Sequence, residues 1–183
     1  MSEENLAGGF ADPPTQAARA FRAALDAIAR PGRIHRVEGV LPPRPLPIAA
    51  GVLALTLCDA GTPLWLAPSL ASPSIPQWLA FHAGAPVVAD RGAAAFAFGT
   101  WDELAPFEGF PIGTPDYPDR SATLVILLDR LEAEGASLAG PGIAGRAALS
   151  LPAIEPFRRN AALFPLGLDC FLCAGDRLAA LPR

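Results

Sequence analysis

The segment Gly113-Thr114-Pro115-Asp116-Tyr117-Pro118-Asp119-Arg120-Ser121 sets two carboxylates, a phenol, a guanidinium and two hydroxyls directly ahead of an apolar run from Ala122 to Asp129. Arg120 can fork two hydrogen bonds onto a phosphate or carboxylate. Asp119 can orient a metal or Arg120 itself, and Ser121 offers a hydroxyl donor to developing charge. Tyr117, Asp119, Arg120 and Ser121 therefore make a candidate ligand or interface loop. Two readings stand. Loops at strand ends line the crevice where α/β proteins bind ligands. Alternatively, aspartates and prolines hold a rigid turn that docks a partner. The surrounding stretch, Pro106 to Ser121, is long and rich in Pro and Gly, and such loops usually carry function.

Other residues narrow the chemistry. All 14 basic residues are Arg, so the chain has no Schiff-base amine and no P-loop lysine. Cys170 and Cys173 spell C-x-x-C. Asp169 to Ala174 reads as a buried strand, however, and an offset of three there sends the two thiols to opposite faces. With Cys58 the cysteines number 3, which suits reduced thiols better than a disulfide framework. Histidines are His35 and His82, with no neighbouring Cys or Glu at ligand spacing, so no metal site is expected. His82 falls at a helix end, where packing or the helix C-terminus is its expected role. Gly140-Pro141-Gly142-Ile143 reads as a tight turn, because Pro141 lacks the amide a phosphate nest needs. No G-x-S-x-G elbow is present.

The elements that must position these residues alternate. Asp12 caps a helix with Pro13 and Pro14 in its first turn. Ala17, Ala18, Phe21, Ala24, Leu25 and Ile28 form its apolar stripe, and Pro31-Gly32 stops it. Arg19, Arg22 and Arg30 lie on its other face. A short strand follows over Arg33 to Val37, then a helix over Ile48 to Leu57 that is apolar nearly all round. Leu64 to Ala67 reads as a strand, and Ser72 caps a helix ending at His82 before Gly84. Pro86 to Ala89 and Ala94 to Phe98 are further strands, and Thr100 begins a brief helical turn. Ala122 to Asp129 is the clearest strand, with Ala136 to Ala139 expected beside it. A helix over Ala153 to Leu163 precedes the last strands, Asp169 to Ala174 and Leu178 to Leu181. The class is α/β, a mixed sheet flanked by helices, with residues 1–9 a flexible start and 10–183 a single domain.

From Pro45 to Ala89 the one formally charged side chain is Asp59, while Trp65, Trp78 and Phe81 crowd the same stretch. Charged residues are 17% of the chain against about 25% in a typical soluble one. Surfaces this poor in charge generally meet something else, so a partner subunit is expected. A net charge of -4 and pI near 5.1 provide no general attraction for nucleic acid or anionic membrane. The start lacks a basic, then apolar, leader, so a cytoplasmic location is expected.

Several segments together resemble one family. They are Gly9-Phe10, Phe21-Arg22 with Pro31-Gly32, Leu55 to Asp59 with Thr62, and Phe81-His82-Ala83-Gly84. They continue through Tyr117 to Thr123, Leu138 to Ile143 and Phe164 to Asp169. The ordered set resembles PhnH, the H subunit of the carbon-phosphorus lyase machinery, over nearly the whole chain, with Ala83 standing where the family's pattern has Thr. The resemblance implies a fold similar to the pyridoxal-phosphate-dependent transferases without the cofactor, and a homodimer joined to G, I and J subunits. It implies support for transfer of ribose 5-triphosphate from a nucleoside triphosphate to an alkylphosphonate, with loss of the base. It assigns this chain no cofactor and no established catalytic residue. A non-catalytic scaffold subunit and a free-standing small-molecule enzyme are the competing readings.

Overall fold

Alternating apolar side chains along the strands divide the interior into two cores, one on each face of a six-stranded sheet. The computed structural model describes residues 7–183. Its helices are α1 (Pro13–Ala29), α2 (Ile48–Leu57), α3 (Ser74–His82), α4 (Trp101–Leu104) and α5 (Glu155–Ala161). Its strands are β1 (His35–Arg36), β2 (Leu64–Leu66), β3 (Phe96–Thr100), β4 (Thr123–Leu127), β5 (Ala136–Leu138), β6 (Ala147–Leu149), β7 (Asp169–Ala174) and β8 (Arg177–Leu181). The sheet order is β1-β8-β7-β4-β3-β2, with β2, β3, β4 and β7 parallel and β8 and β1 completing an antiparallel edge. The class is the expected mixed α/β.

Val125, Phe171, Cys173 and Leu178 point to the face covered by α1, α2 and α3. Leu124, Ile126, Cys170 and Leu172 point to the other, where Leu104 of α4, Leu149 and Phe157 of α5 pack. β7 is buried along nearly its whole length, as a central strand covered on both faces must be. That burial decides the neighbour of β4. The expected strand at Ala136 pairs instead with β6 in a separate antiparallel hairpin, because the more apolar β7 takes the place beside β4.

The middle third differs from expectation in a way that matters for function. Trp65 and Trp78 are buried inside the fold with Leu53, Leu64, Leu70, Ile75 and Leu79, so scarcity of charge there reflects an interior and not a face awaiting a partner. Of the large apolar side chains between Pro45 and Ala89, Phe81 and Val87 remain exposed. The outward turn of α1 also differs. Its buried stripe is Ala20, Ala24 and Ala27, while Phe21 and Leu25 are 50% and 56% exposed. Small side chains let α1 approach α2 and β8 closely, so the bulky ones turn outward.

Local signals explain the ends of elements. Asp12 takes the N-cap position of α1, but its backbone N–H bonds Gln16 Oε1 at 2.8 Å in place of a carboxylate cap. Ser72 does not cap α3: its hydroxyl pairs with that of Ser74 at 3.1 Å, and Pro73 precedes the helix. Pro86 to Ala89 forms a single bridge, Val87 to Leu64, in place of a full strand. Of the start expected to be flexible, residues 1–6 lie outside the described residues. Ala7 and Gly8 are tied down, their carbonyls accepting from Trp78 Nε1 at 3.0 Å and Leu41 N at 2.8 Å.

Candidate functional site

The loop ahead of β4 is built as a closed clasp. Gly113 has φ 82°, and a Cβ there would come within 2.6 Å of the Pro118 carbonyl oxygen, so only glycine lets the loop fold onto its own 3₁₀ turn at Pro118–Arg120. Thr114 and Tyr117 exchange backbone hydrogen bonds at 3.1 and 3.0 Å, and the Thr114 hydroxyl accepts a further one from Tyr117 N at 3.1 Å. Ile112 bridges Ser121. On this rigid base the Arg120 guanidinium lies 4.0 Å from the centre of the Tyr117 ring, a cation–π stack on the surface. Tyr117 is 50% exposed, and Asp119 and Arg120 are exposed beside it.

Ser121 is held differently. Its hydroxyl accepts from the guanidinium of Arg183, which also donates to the carbonyls of Pro118 at 2.8 Å and Gly167 at 3.3 Å. Arg183 lies 3.5 Å from the Asp169 carboxylate, and its backbone N–H bonds the same side chain at 3.1 Å. One guanidinium thus fastens the loop to the start of β7. Sequence reasoning missed Arg183, because the contact spans 62 residues and no local spacing signals it.

Of the four candidates, Tyr117 and Arg120 come together, Ser121 faces inward to Arg183, and Asp119 points to solvent. The loop sits at the amino end of β4. It is therefore opposite the carboxyl ends of the parallel strands, where α/β folds generally bind ligands, and this corrects the expected placement in that crevice.

The carboxyl ends are occupied by another construction. β3 and β4 are in register from Phe96 with Thr123 to Thr100 with Leu127, so their ends are level. There Glu103 accepts from Ser69 N at 2.9 Å, Ser69 Oγ at 2.7 Å, Thr100 N at 3.0 Å and Thr100 Oγ1 at 2.8 Å. Burial works to raise its pKa, but the bonds from Ser69 and then Thr100 outweigh burial and hold the carboxyl at about 2. This carboxylate caps α4 through a capping box and staples the segment after β2 to it. Beside it opens a cleft of about 630 Å³ lined by Trp101, Asp102, Leu127, Asp129, Arg130 and Ser150, among others. Its Arg130 pairs with Glu134 at 3.2 Å.

The remaining chemical candidates are structural. Cys170 and Cys173 fall in different cores on opposite faces of β7, as the strand reading requires. Burial pushes both thiols far up, and burial followed by the Asp59 charge pushes Cys58 to about 12. His82 packs its ring against Trp78 and Phe81, with centroids 5.1 and 4.9 Å apart. His35 Nε2 lies 3.1 Å from Asp26 Oδ2; burial, then Arg33 and Arg30, lower its pKa, so it is uncharged at neutral pH. Gly140 to Ile143 forms the expected tight turn, closed by Ile143 N on the Gly140 carbonyl at 3.2 Å. Among the described residues no group of three or more His, Cys, Asp or Glu could hold a metal ion.

Comparison with known proteins covers the same span as this fold. A family model described as bacterial phosphonate metabolism protein (PhnH) matches residues 8–183. The alpha-D-ribose 1-methylphosphonate 5-triphosphate synthase subunit PhnH of Rhizobium meliloti (strain 1021) is 42% identical over 184 residues, which is 96% of this chain and 92% of that one. A putative C-P lyase subunit protein of Stutzerimonas stutzeri, HtxG, is 35% identical over 78 residues, 39% of this chain and 40% of that protein.

Proposed function

This chain belongs to the PhnH family of bacterial phosphonate-metabolism proteins, and from that membership we propose that it is a subunit of a ribose 1-methylphosphonate 5-triphosphate synthase in phosphonate catabolism. It supports transfer of ribose 5-triphosphate from a nucleoside triphosphate to an alkylphosphonate, with loss of the base. The observation that carries this reading is identity of 42% to a named synthase subunit across 96% of the chain.

The chain works in the cytoplasm as a homodimer joined to G, I and J subunits, and its fold is similar to the pyridoxal-phosphate-dependent transferases. The absence of any lysine supports a role without that cofactor, since no side-chain amine can form its Schiff base. The geometry favours docking over catalysis for the Tyr117 loop. Ser121 is engaged by Arg183, and the Tyr117–Arg120 stack presents an aromatic and a guanidinium, the residue types that anchor protein interfaces.

The test is complementation. A phosphonate-using bacterium deleted for its own PhnH regains growth on methylphosphonate as sole phosphorus source when this chain is expressed. Soluble, folded chain without growth contradicts the assignment.

A further inference from the structure

We propose that the outer face of α1, with the turn Gly140 to Ile143, is a docking surface for an acidic, apolar-edged segment of another synthase subunit. The inference rests on the functional reading above.

Phe21 and Leu25 stand one turn apart on the outer side of α1 and are both half exposed, although the alanine stripe on the opposite side seals the core. Arg22, Arg30 and Arg33 flank them, against the single carboxylate of Asp26, while Arg19 lies round the helix beside Glu38 and Asp176. The Asp26 carboxylate is already taken by Arg30 and lies 3.8 Å from Arg33. Positive charge is therefore gathered on one side of a chain whose net charge is -4. His35, uncharged at neutral pH, contributes nothing to it.

The surface has relief as well as charge. A groove of about 500 Å³ runs between α1 and the turn, lined by Arg22, Leu25, Asp26, Ala29, Arg30 and Gly142. Gly142 has φ 79°, and a Cβ there would fall 2.0 Å from the Ala29 carbonyl oxygen, so glycine alone allows the turn to close against the helix end. The groove wall is thus fixed, which lowers the ordering cost of binding.

Charge selects the occupant. A two-fold dimer through this face would set a net-positive patch against its own copy, its one carboxylate already engaged, a like-charge contact that costs rather than stabilises. A segment carrying Asp or Glu around apolar side chains satisfies both the arginines and the Phe21–Leu25 ridge. A head-to-tail contact with the acidic surface of another copy would instead build rings or filaments.

The experiment uses the full chain and the remaining synthase subunits, with association measured at 50 and 300 mM salt by sedimentation of labelled chain. Phe21→Asp with Leu25→Asp should weaken joining about tenfold or more at both salt levels. Arg22→Glu with Arg33→Glu should weaken it chiefly at low salt and flatten the salt dependence. Circular dichroism and melting of each variant alone report folding; the arginine pair, being exposed, keeps the test valid if the apolar pair unfolds. Folded variants that join with wild-type affinity overturn the proposal. So do variants that split a homodimer or dissolve larger self-assemblies, which would make a second copy the occupant. Failure of the wild-type chain to join any other subunit sinks the functional reading and this inference with it, whereas wild-type joining puts only the α1 face at stake.

Discussion

Arg183 reaches from beyond the end of β8 to donate to the Ser121 hydroxyl, closing the loop ahead of β4 onto the start of β7. The same guanidinium serves the Pro118 and Gly167 carbonyls and faces the Asp169 carboxylate, so one side chain ties together two distant segments, 118–121 and 167–169. Arg183→Ala should cost about 1–3 kcal/mol of unfolding free energy in urea, the range for losing charge-assisted bonds at a half-buried site. Arg183→Lys should recover only part, because an ammonium lacks the planar fork. Hydrogen exchange should accelerate over residues 113–121 while β4 stays protected. An unchanged midpoint would show that the clasp contributes nothing.

Glu103 makes stability depend on acid. Its carboxyl sits at about 2 in the folded chain against an ordinary 4.5, so the folded state holds its proton less tightly. The stabilisation is therefore complete above pH 4.5 and is lost as pH falls through about 2. Because the group is only partly buried, solvent screening keeps the effect modest. Glu103→Gln should be less stable than wild type at pH 7 and converge with it near pH 2, as read from urea midpoints across the range. Parallel curves for the two proteins would contradict the hydrogen-bond account.

Burial of Trp65 and Trp78 predicts a blue-shifted emission from those two indoles, with iodide quenching confined to the half-buried Trp101. Leu53→Ala in α2 should cost about 2–5 kcal/mol, the usual penalty for a cavity in a packed core. Full quenching of all three tryptophans in the isolated chain would restore the exposed middle third that the fold denies.

The thiols give a chemical check on the same interior. Cys58, Cys170 and Cys173 are buried with raised pKa values, so a disulfide reagent at pH 8 should label none of them until denaturant is added. Rapid labelling of Cys170 and Cys173 as a pair in the folded chain would reopen a redox role for the C-x-x-C.

Elements marked by strong local patterns are legible in the residues alone. The all-apolar Ile48 to Leu57 helix and the Asp169 to Ala174 strand have the boundaries their composition implies. What depends on competition between distant segments is not. Ala136 loses its place beside β4 to the more buried β7, and α1 turns Phe21 outward because alanine packs closer, choices that appear only when all candidates meet. The same holds at the site. Tyr117, Asp119, Arg120 and Ser121 stand out by type, yet their position at the amino end of β4 follows from strand direction, and Arg183 from a contact across the whole fold.

The central claim is that this chain is a required synthase subunit whose Tyr117 loop docks and does not react. Nucleobase release from a nucleoside triphosphate with methylphosphonate, measured in the reconstituted assembly, tests it most directly. Omitting the chain should abolish release. Asp119→Ala with Arg120→Ala should weaken association while turnover per assembled complex matches wild type. Intact assembly with lost release would make the loop catalytic, and release unaffected by omitting the chain would remove it from the reaction altogether.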